Sequence, residues 1–209
     1  MTDRRSNRRV DVLWRIGSDD PLLAAELLRA EVGRTLGIPA AEVRLSRSCR
    51  QCGSSEHGRP VVLPQGKHHP PFVSLSRAGA LVAVAVSGCG PVGVDVERLD
   101  ATSFAGFNEV VLHEREVAST VEARALTWVR KESLLKATGR GLSIDPRLIR
   151  LSCADEPPRL LDWLAPDPPA RSVWMQDLEL DGYAACLTVL SDEAPQVSVR
   201  QAVPEVPVR

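Results

Sequence analysis

The sequence predicts an α+β protein built from two similar halves. Three observations predict it. A length of 209 residues allows one medium domain or two small halves sharing a core. A helical apolar pattern followed by short strand-like runs occurs twice. Between the two passages lie consecutive runs of β-branched and small residues, the pattern of buried strands. The expected division is residues 1–94, residues 95–190 and a tail over 191–209.

In chain order, MTDRRSNRR (1–9) reads as a solvated tail and Val10–Ile16 as a first strand. Ser18, Asp19 and Asp20 before Pro21 mark a helix start. Leu22, Leu23, Leu27, Leu28, Val32 and Leu36 then keep helical spacing until Gly37-Ile38-Pro39. Val43–Leu45 predicts a short strand. Residues 46–71, rich in Gly, Pro, Ser and His, read as loop with a strand at Pro60–Leu63. Phe72–Ser76, Leu81–Ser87 and Pro91–Val96 read as strands, residues 101–119 as a broken helical stretch, and Ala123–Ala137 as a strong helix stopped at Gly139-Arg140-Gly141. Leu148–Ser152, Arg171–Leu178 and Tyr183–Leu190 close the chain as strands, with frayed residues from Ser191 onward.

Composition excludes several classes of function. Hydrophobic residues at 44 % and charged residues at 25 % are ordinary for a soluble globular chain. No apolar run approaches the roughly 20 residues of a membrane span, and no apolar segment follows the charged N-terminus as in a secretory signal. The cytoplasm is the expected location. Basic and acidic residues balance at 26 and 27, against a dedicated nucleic-acid binder. Only Lys67, Lys131 and Lys136 among the basic residues are lysines. Five scattered cysteines argue against a disulfide framework. Cys49 and Cys52, with His57, His68 and His69 downstream, read first as a reduced, loop-borne pair and alternatively as a zinc site. Adjacent histidines cannot easily both point at one ion.

Three constellations could carry chemistry. In Gly93-Val94-Asp95-Val96-Glu97 the two acids project to one strand face and the valines to the other. Paired carboxylates repel unless a cation sits between them, and a hard divalent ion suits them. The plain alternative is a strand end with solvated acids. On the second helix Trp128, Glu132 and Lys136 share one face at i, i+4 spacing, apart from Leu126, Val129 and Leu134. An acid beside Lys131 and Lys136 is either a surface ion pair or a functional carboxylate with phosphate-binding lysines. Arg59, between Gly58 and Pro60, and Arg77, in Ser74–Gly79, stand beside turn residues suited to anions. Walker A, G-x-G-x-x-G and nucleophile-elbow patterns are absent.

Taken in order, these pieces resemble the Sfp-type 4′-phosphopantetheinyl transferases. That family shows G-K-P, N-x-S-H-S-G, G-x-D-x-E and W-x-x-K-E-x-x-x-K-x-x-G-x-G-L. This chain has GRP at 58–60, SLSRAG at 74–79, GVDVE at 93–97 and WVRKESLLKATGRGL at 128–142. The last two match at every signature position, and the resemblance spans about residues 22–190.

The resemblance implies a pseudo-dimer of two α+β halves with coenzyme A and Mg²⁺ in the cleft between them. It implies transfer of the phosphopantetheine arm to a serine of an acyl or peptidyl carrier protein of polyketide, nonribosomal peptide or fatty acid synthesis, releasing 3′,5′-ADP. By position, Asp95, Glu97 and Glu132 would ligate Mg²⁺, and Glu132 would take the serine proton. Lys131 and Lys136 would hold phosphates and stabilise the leaving 3′,5′-ADP. Arg59, Arg77 and Ser76 would contact phosphates from the first half. The chain is expected to act as a monomer, without nucleic-acid or membrane partners. It departs from the family at Arg59 (lysine), Arg77 (histidine) and Ala78 (serine), and the basic helix usual before Leu22–Leu36 is not evident. These departures motivate the alternative of a catalytically attenuated homologue that binds coenzyme A or a carrier protein.

Overall fold

The computed structural model describes residues 8–17, 21–49, 52–56, 58–64, 66 and 69–202. The chain runs through β1 (Arg9–Ile16), α1 (Pro21–Leu36), β2 (Leu45–Ser48), β3 (Arg59–Val62), β4 (Phe72–Ala78), β5 (Leu81–Ser87) and β6 (Val92–Arg98). It continues through α2 (Phe107–Val111), α3 (Val121–Thr138), β7 (Ile149–Leu151), β8 (Leu160–Trp163), β9 (Val173–Asp177), β10 (Tyr183–Leu190) and β11 (Gln196–Gln201). The mixed α+β class expected from the sequence is observed. The residues proposed to cap α1, Ser18 to Asp20, lie outside the described residues, as do 1–7 and 203–209.

Two larger sheets organise the core. One has the order β11-β1-β5-β4 and the other β6-β10-β9, while β2–β3 and β7–β8 form small hairpin sheets. Strand alternation makes the layers. On β5, Val82, Val84 and Val86 face Leu23, Leu27, Leu28 and Val32 of α1. Leu81, Ala83 and Ala85 face Val92, Val94 and Val96 of β6 and Leu187 and Val189 of β10. Ala184 and Cys186 turn to the far face of β10 and pack on Val129, Leu134 and Leu135 of α3. Each large aliphatic side chain so buried contributes about 1.5–3 kcal/mol. The order is helix, sheet, sheet, helix.

Three expectations are corrected. First, residues from Ser191 are not all frayed: β11 pairs in parallel with β1. Arg200 of β11 reaches the buried Glu31 of α1 at 2.8 Å, and Arg34 bridges Glu31 to the buried Asp11. Second, residues 101–119 form only a 3₁₀ turn, Leu99–Thr102, and the short α2. Lys131 captures the Val111 carbonyl at 2.8 Å, and Leu112 turns to an extended conformation. Third, β8 escaped the sequence reading. It gains its strand geometry by pairing with β7. The expected boundary between residues 94 and 95 falls inside β6, whose whole length pairs with β10.

Arg130 fastens α3 to the surrounding chain. It is 1 % exposed, and its guanidinium forks onto Asp177 of β9 at 3.0 and 2.6 Å while donating to the carbonyls of Ser152, Cys153, Ala154 and Glu156. Among the described residues no helix is long and apolar enough to cross a membrane.

The closest backbone approach in this packing is β6 on α3. A Cβ at Gly93 would overlap the Ser133 carbonyl oxygen and lie 2.6 Å from the Ala137 nitrogen. Both neighbours are backbone atoms of one helix and cannot yield singly. Gly93→Ala is expected to cost about 3 kcal/mol, measured as a lowered urea midpoint. An unchanged midpoint would show that α3 can move off the strand.

Candidate active site

The site arises from the step of one strand beside one helix. Same-face residues on β6 repeat about every 7 Å, and i, i+4 residues on α3 about every 6 Å. Two such rows keep pace over two repeats. Gly93 lies against Ser133 and Ala137, and Asp95 against Lys136 and Glu132. Glu97 shares a cavity wall with Trp128. Thr120 caps the start of α3 by accepting from the Ala123 amide at 3.1 Å. Gly139, at φ 69°, ends it.

Asp95, 5 % exposed, is tightly held. Lys136 Nζ donates to its Oδ1 at 2.6 Å, to Ser76 Oγ at 2.9 Å and to the Val94 carbonyl at 3.3 Å. Ser76 donates to the same Oδ1 at 2.7 Å. Glu132 is held differently: its Oε1 is buried without a hydrogen-bond partner. Burial first, and the Asp95 charge second, push the Glu132 carboxyl up to about 7, while Lys136 draws it partly back. A buried oxygen without a donor invites a proton or a cation. The donors are hard oxygens of two neighbouring carboxylates, a set that suits Mg²⁺ completed by phosphate and water. The Lys136 ammonium on Asp95 already shows the place to be one for positive charge.

The expected three-carboxylate centre is not assembled. Among the described residues no three His, Cys, Asp or Glu side chains form a group able to hold a metal ion. Asp95 and Glu132 are brought together. Glu97, at the solvent end of β6, accepts from the Arg98 amide at 2.8 Å through its Oε1.

Lys131 is also corrected. It is 0 % exposed, and its ammonium donates to the Val111 carbonyl at 2.8 Å, the Pro146 carbonyl at 2.9 Å and the Glu116 carboxylate at 2.5 Å. Its three donors meet three acceptors and no part of it is open to a phosphate, whereas Lys136, which also has three protein acceptors, is 28 % exposed and lines a cleft. Glu116 in turn accepts from the amides of His113 and Leu151. Burial lowers the Lys131 pKa even with Glu116 beside it. Ser76 likewise spends its one hydroxyl proton on Asp95, so it positions the carboxylate rather than donating to a phosphate. Arg77 is exposed, and strand alternation sets it on the opposite face of β4 from Ser76.

A cleft of about 950 Å³ opens between the β2–β3 hairpin, β4 and the C-terminal end of α3. Arg47, Arg59, Lys136 and Arg140 line it. Arg59 crosses to the end of α3, where a Cβ on Gly139 would stand 2.8 Å from its Nη1. Arg47 and Arg140 were not singled out from the sequence. Arg140 had a signal, its place in the Gly-Arg-Gly that stops α3, whereas Arg47 had none in so arginine-rich a chain. A second, apolar cavity of about 360 Å³ lies beyond Glu97, walled by Phe104, Val110 and Trp128, and Leu142 borders both cavities. Cys49 lies on the cleft wall, and Cys52 is exposed. Of the alternative zinc set, His57 and His68 lie outside the described residues, as do Arg50, Gln51 and Lys67.

Two outcomes follow from these placements. Lys131→Met leaves Glu116 buried without its cation and is expected to cost about 3–5 kcal/mol in urea denaturation. A loss below 1 kcal/mol would show that Glu116 finds solvent or another partner. Glu132 supplies a pH dependence. Its folded pKa stands above the ordinary value of 4.5, so the folded protein binds the extra proton between pH 4.5 and about 7. Stability therefore falls as pH rises through that window. In chelator-treated protein, Glu132→Gln is expected to gain on the wild type by about 2–3 kcal/mol from pH 5 to pH 8. A constant difference would show a normally ionised Glu132.

The family model described as the 4′-phosphopantetheinyl transferase superfamily, ACPS, matches residues 91–188. No curated protein matches the chain. The matched stretch contains β6, α3 and most of β10, and with them Asp95, Glu132, Lys136 and the close contact at Gly93. Residues 91–188 thus form a domain of the 4′-phosphopantetheinyl transferase superfamily.

Proposed function

We propose that this protein is an Sfp-type enzyme that moves the 4′-phosphopantetheine arm of coenzyme A to a serine of an acyl or peptidyl carrier protein. The acceptor belongs to polyketide, nonribosomal peptide or fatty acid synthesis, and the by-product is 3′,5′-ADP. The observation that carries the reading is the buried, unpartnered Oε1 of Glu132 beside Asp95, whose carboxylate holds Lys136 of the arginine-lined cleft. The reading takes the halves 1–94 and 95–190 as a pseudo-dimer acting as a monomer in the cytoplasm, with coenzyme A between them.

Asp95 and Glu132 would hold Mg²⁺, with Glu97 the third candidate on the same strand face; the ion would neutralise charge on the diphosphate. Arg59 and Lys136 bind and orient the diphosphate from the two sides of the cleft, and Arg77 is an outer phosphate contact. Glu132 would accept the proton of the carrier serine. The serine oxygen forms a bond to the phosphorus bearing pantetheine as the bond to the ADP oxygen breaks. Lys136 stabilises the charge that leaves with 3′,5′-ADP. Ser76 positions Asp95 throughout. The commitment of Lys131 to Glu116 and the outward face of Arg77 favour a second reading, an attenuated homologue that binds coenzyme A or carrier protein without transfer.

Incubation of an apo carrier protein with coenzyme A, Mg²⁺ and the protein is expected to add the phosphopantetheine mass, read by mass spectrometry. Glu132→Gln is expected to lower the transfer rate by at least about 100-fold while the protein stays folded. Calorimetric binding of coenzyme A with no mass gain across several carriers would select the second reading. Neither binding nor transfer would sink both.

A further inference from the structure

Arg140 is placed by the backbone and spoken for by a poor partner. Its amide donates to the Leu135 carbonyl at 3.3 Å, completing the turn that closes α3 after left-handed Gly139. Its own carbonyl accepts from Ser143 Oγ at 2.7 Å. The backbone is therefore pinned on the cleft wall, and the side chain, 30 % exposed, is the part free to move. Its guanidinium reaches Asp167 at 2.7 Å, and Asp167 is 72 % exposed. Asp167 holds a left-handed backbone, φ 54°, between Pro166 and Pro168, and is the one non-glycine residue among those described with positive φ. A solvent-exposed pair of this kind is worth little against a better anion.

Charge around the cleft favours such an anion. Arg59 approaches Gly139, the residue before Arg140, and no ion pair of Arg59 or Arg47 is present among the described residues. Arg47 donates to the Gly58 carbonyl at 3.1 Å. Lys136 shares its charge with Asp95. Two guanidinium groups at one helix end, one of them held only by an exposed carboxylate, form a fork suited to a phosphate.

Building on the function proposed above, we infer that Arg140 is a phosphate-binding residue of the cleft. Asp167 stands in for the ligand's phosphate until the nucleotide enters. Arg140 then exchanges Asp167 for the phosphate and pairs with Arg59 across Gly139. Asp167 acts as a built-in competitor that weakens nucleotide binding and speeds release of the nucleotide product.

The test is calorimetry of wild type, Asp167→Asn and Arg140→Gln with coenzyme A, dephospho-coenzyme A and 3′,5′-ADP. Asparagine tolerates the left-handed backbone, so Asp167→Asn removes charge without disturbing the loop. It is expected to tighten binding by about 2- to 5-fold, and Arg140→Gln to weaken it by at least about 10-fold. A loss confined to the ligands with a 3′-phosphate assigns Arg140 to that monoester; a loss shared by dephospho-coenzyme A assigns it to the diphosphate. Either supports the inference. Wild-type binding with no change in the two variants, or weaker binding by Asp167→Asn, overturns it and leaves the transferase reading standing. A wild type that binds none of the three overturns the transferase reading, and the inference with it.

Discussion

At Gly93 the backbone of β6 touches the backbone of α3, with Ser133 and Ala137 occupying the space that any side chain would need. This contact sets the distance between strand and helix, and with it the placing of Asp95 against Glu132 and Lys136. One strand step further on, Asp95 lies within 2.6 Å of Lys136 Nζ and beside Glu132. A larger residue at 93 would lift the strand and separate the two carboxylates. The site is thus a consequence of packing, and its electrostatics follow: Glu132 is buried because the helix face that carries it is pressed onto a strand.

Lys131 and Lys136 show how little residue type decides alone. Five residues apart on α3, they are about 140° apart around the helix axis. Lys136 falls on the β6 side, where Asp95 and the cleft are. Lys131 falls among the Val111 and Pro146 carbonyls and Glu116, and becomes a fastening for α2 and the loop before β7. The same ammonium is a ligand-facing group in one place and a buried brace in the other.

Polarity is divided along the α3 face. Toward its C-terminal end lie Lys136, Arg59 and Arg140, and toward its middle Trp128 with Phe104 and Val110. Asp95 holds Lys136 of the basic cleft, Glu97 on the same strand face borders the apolar cavity, and Leu142 touches both cavities. A substrate with an anionic end and a less polar end would find both kinds of wall within reach of one acidic pair.

Much of this was legible in the sequence because it is local. Tyr183–Leu190 was delimited by its run of apolar residues, and the alternation of Gly93 to Glu97 placed both acids on one face. The i, i+4 row of Trp128, Glu132 and Lys136 likewise needs only helix geometry. What the sequence could not determine depends on partners far along the chain. β11 exists because β1 offers an edge and Arg200 finds Glu31, 169 residues away. Ser76 was committed by Asp95, Lys131 by Glu116, and Glu97 by the amide of its neighbour. Periodicity specifies which face a side chain takes. Only the folded chain decides what waits on that face, because hydrogen-bond donors and charges are spent on whichever acceptor packing brings closest.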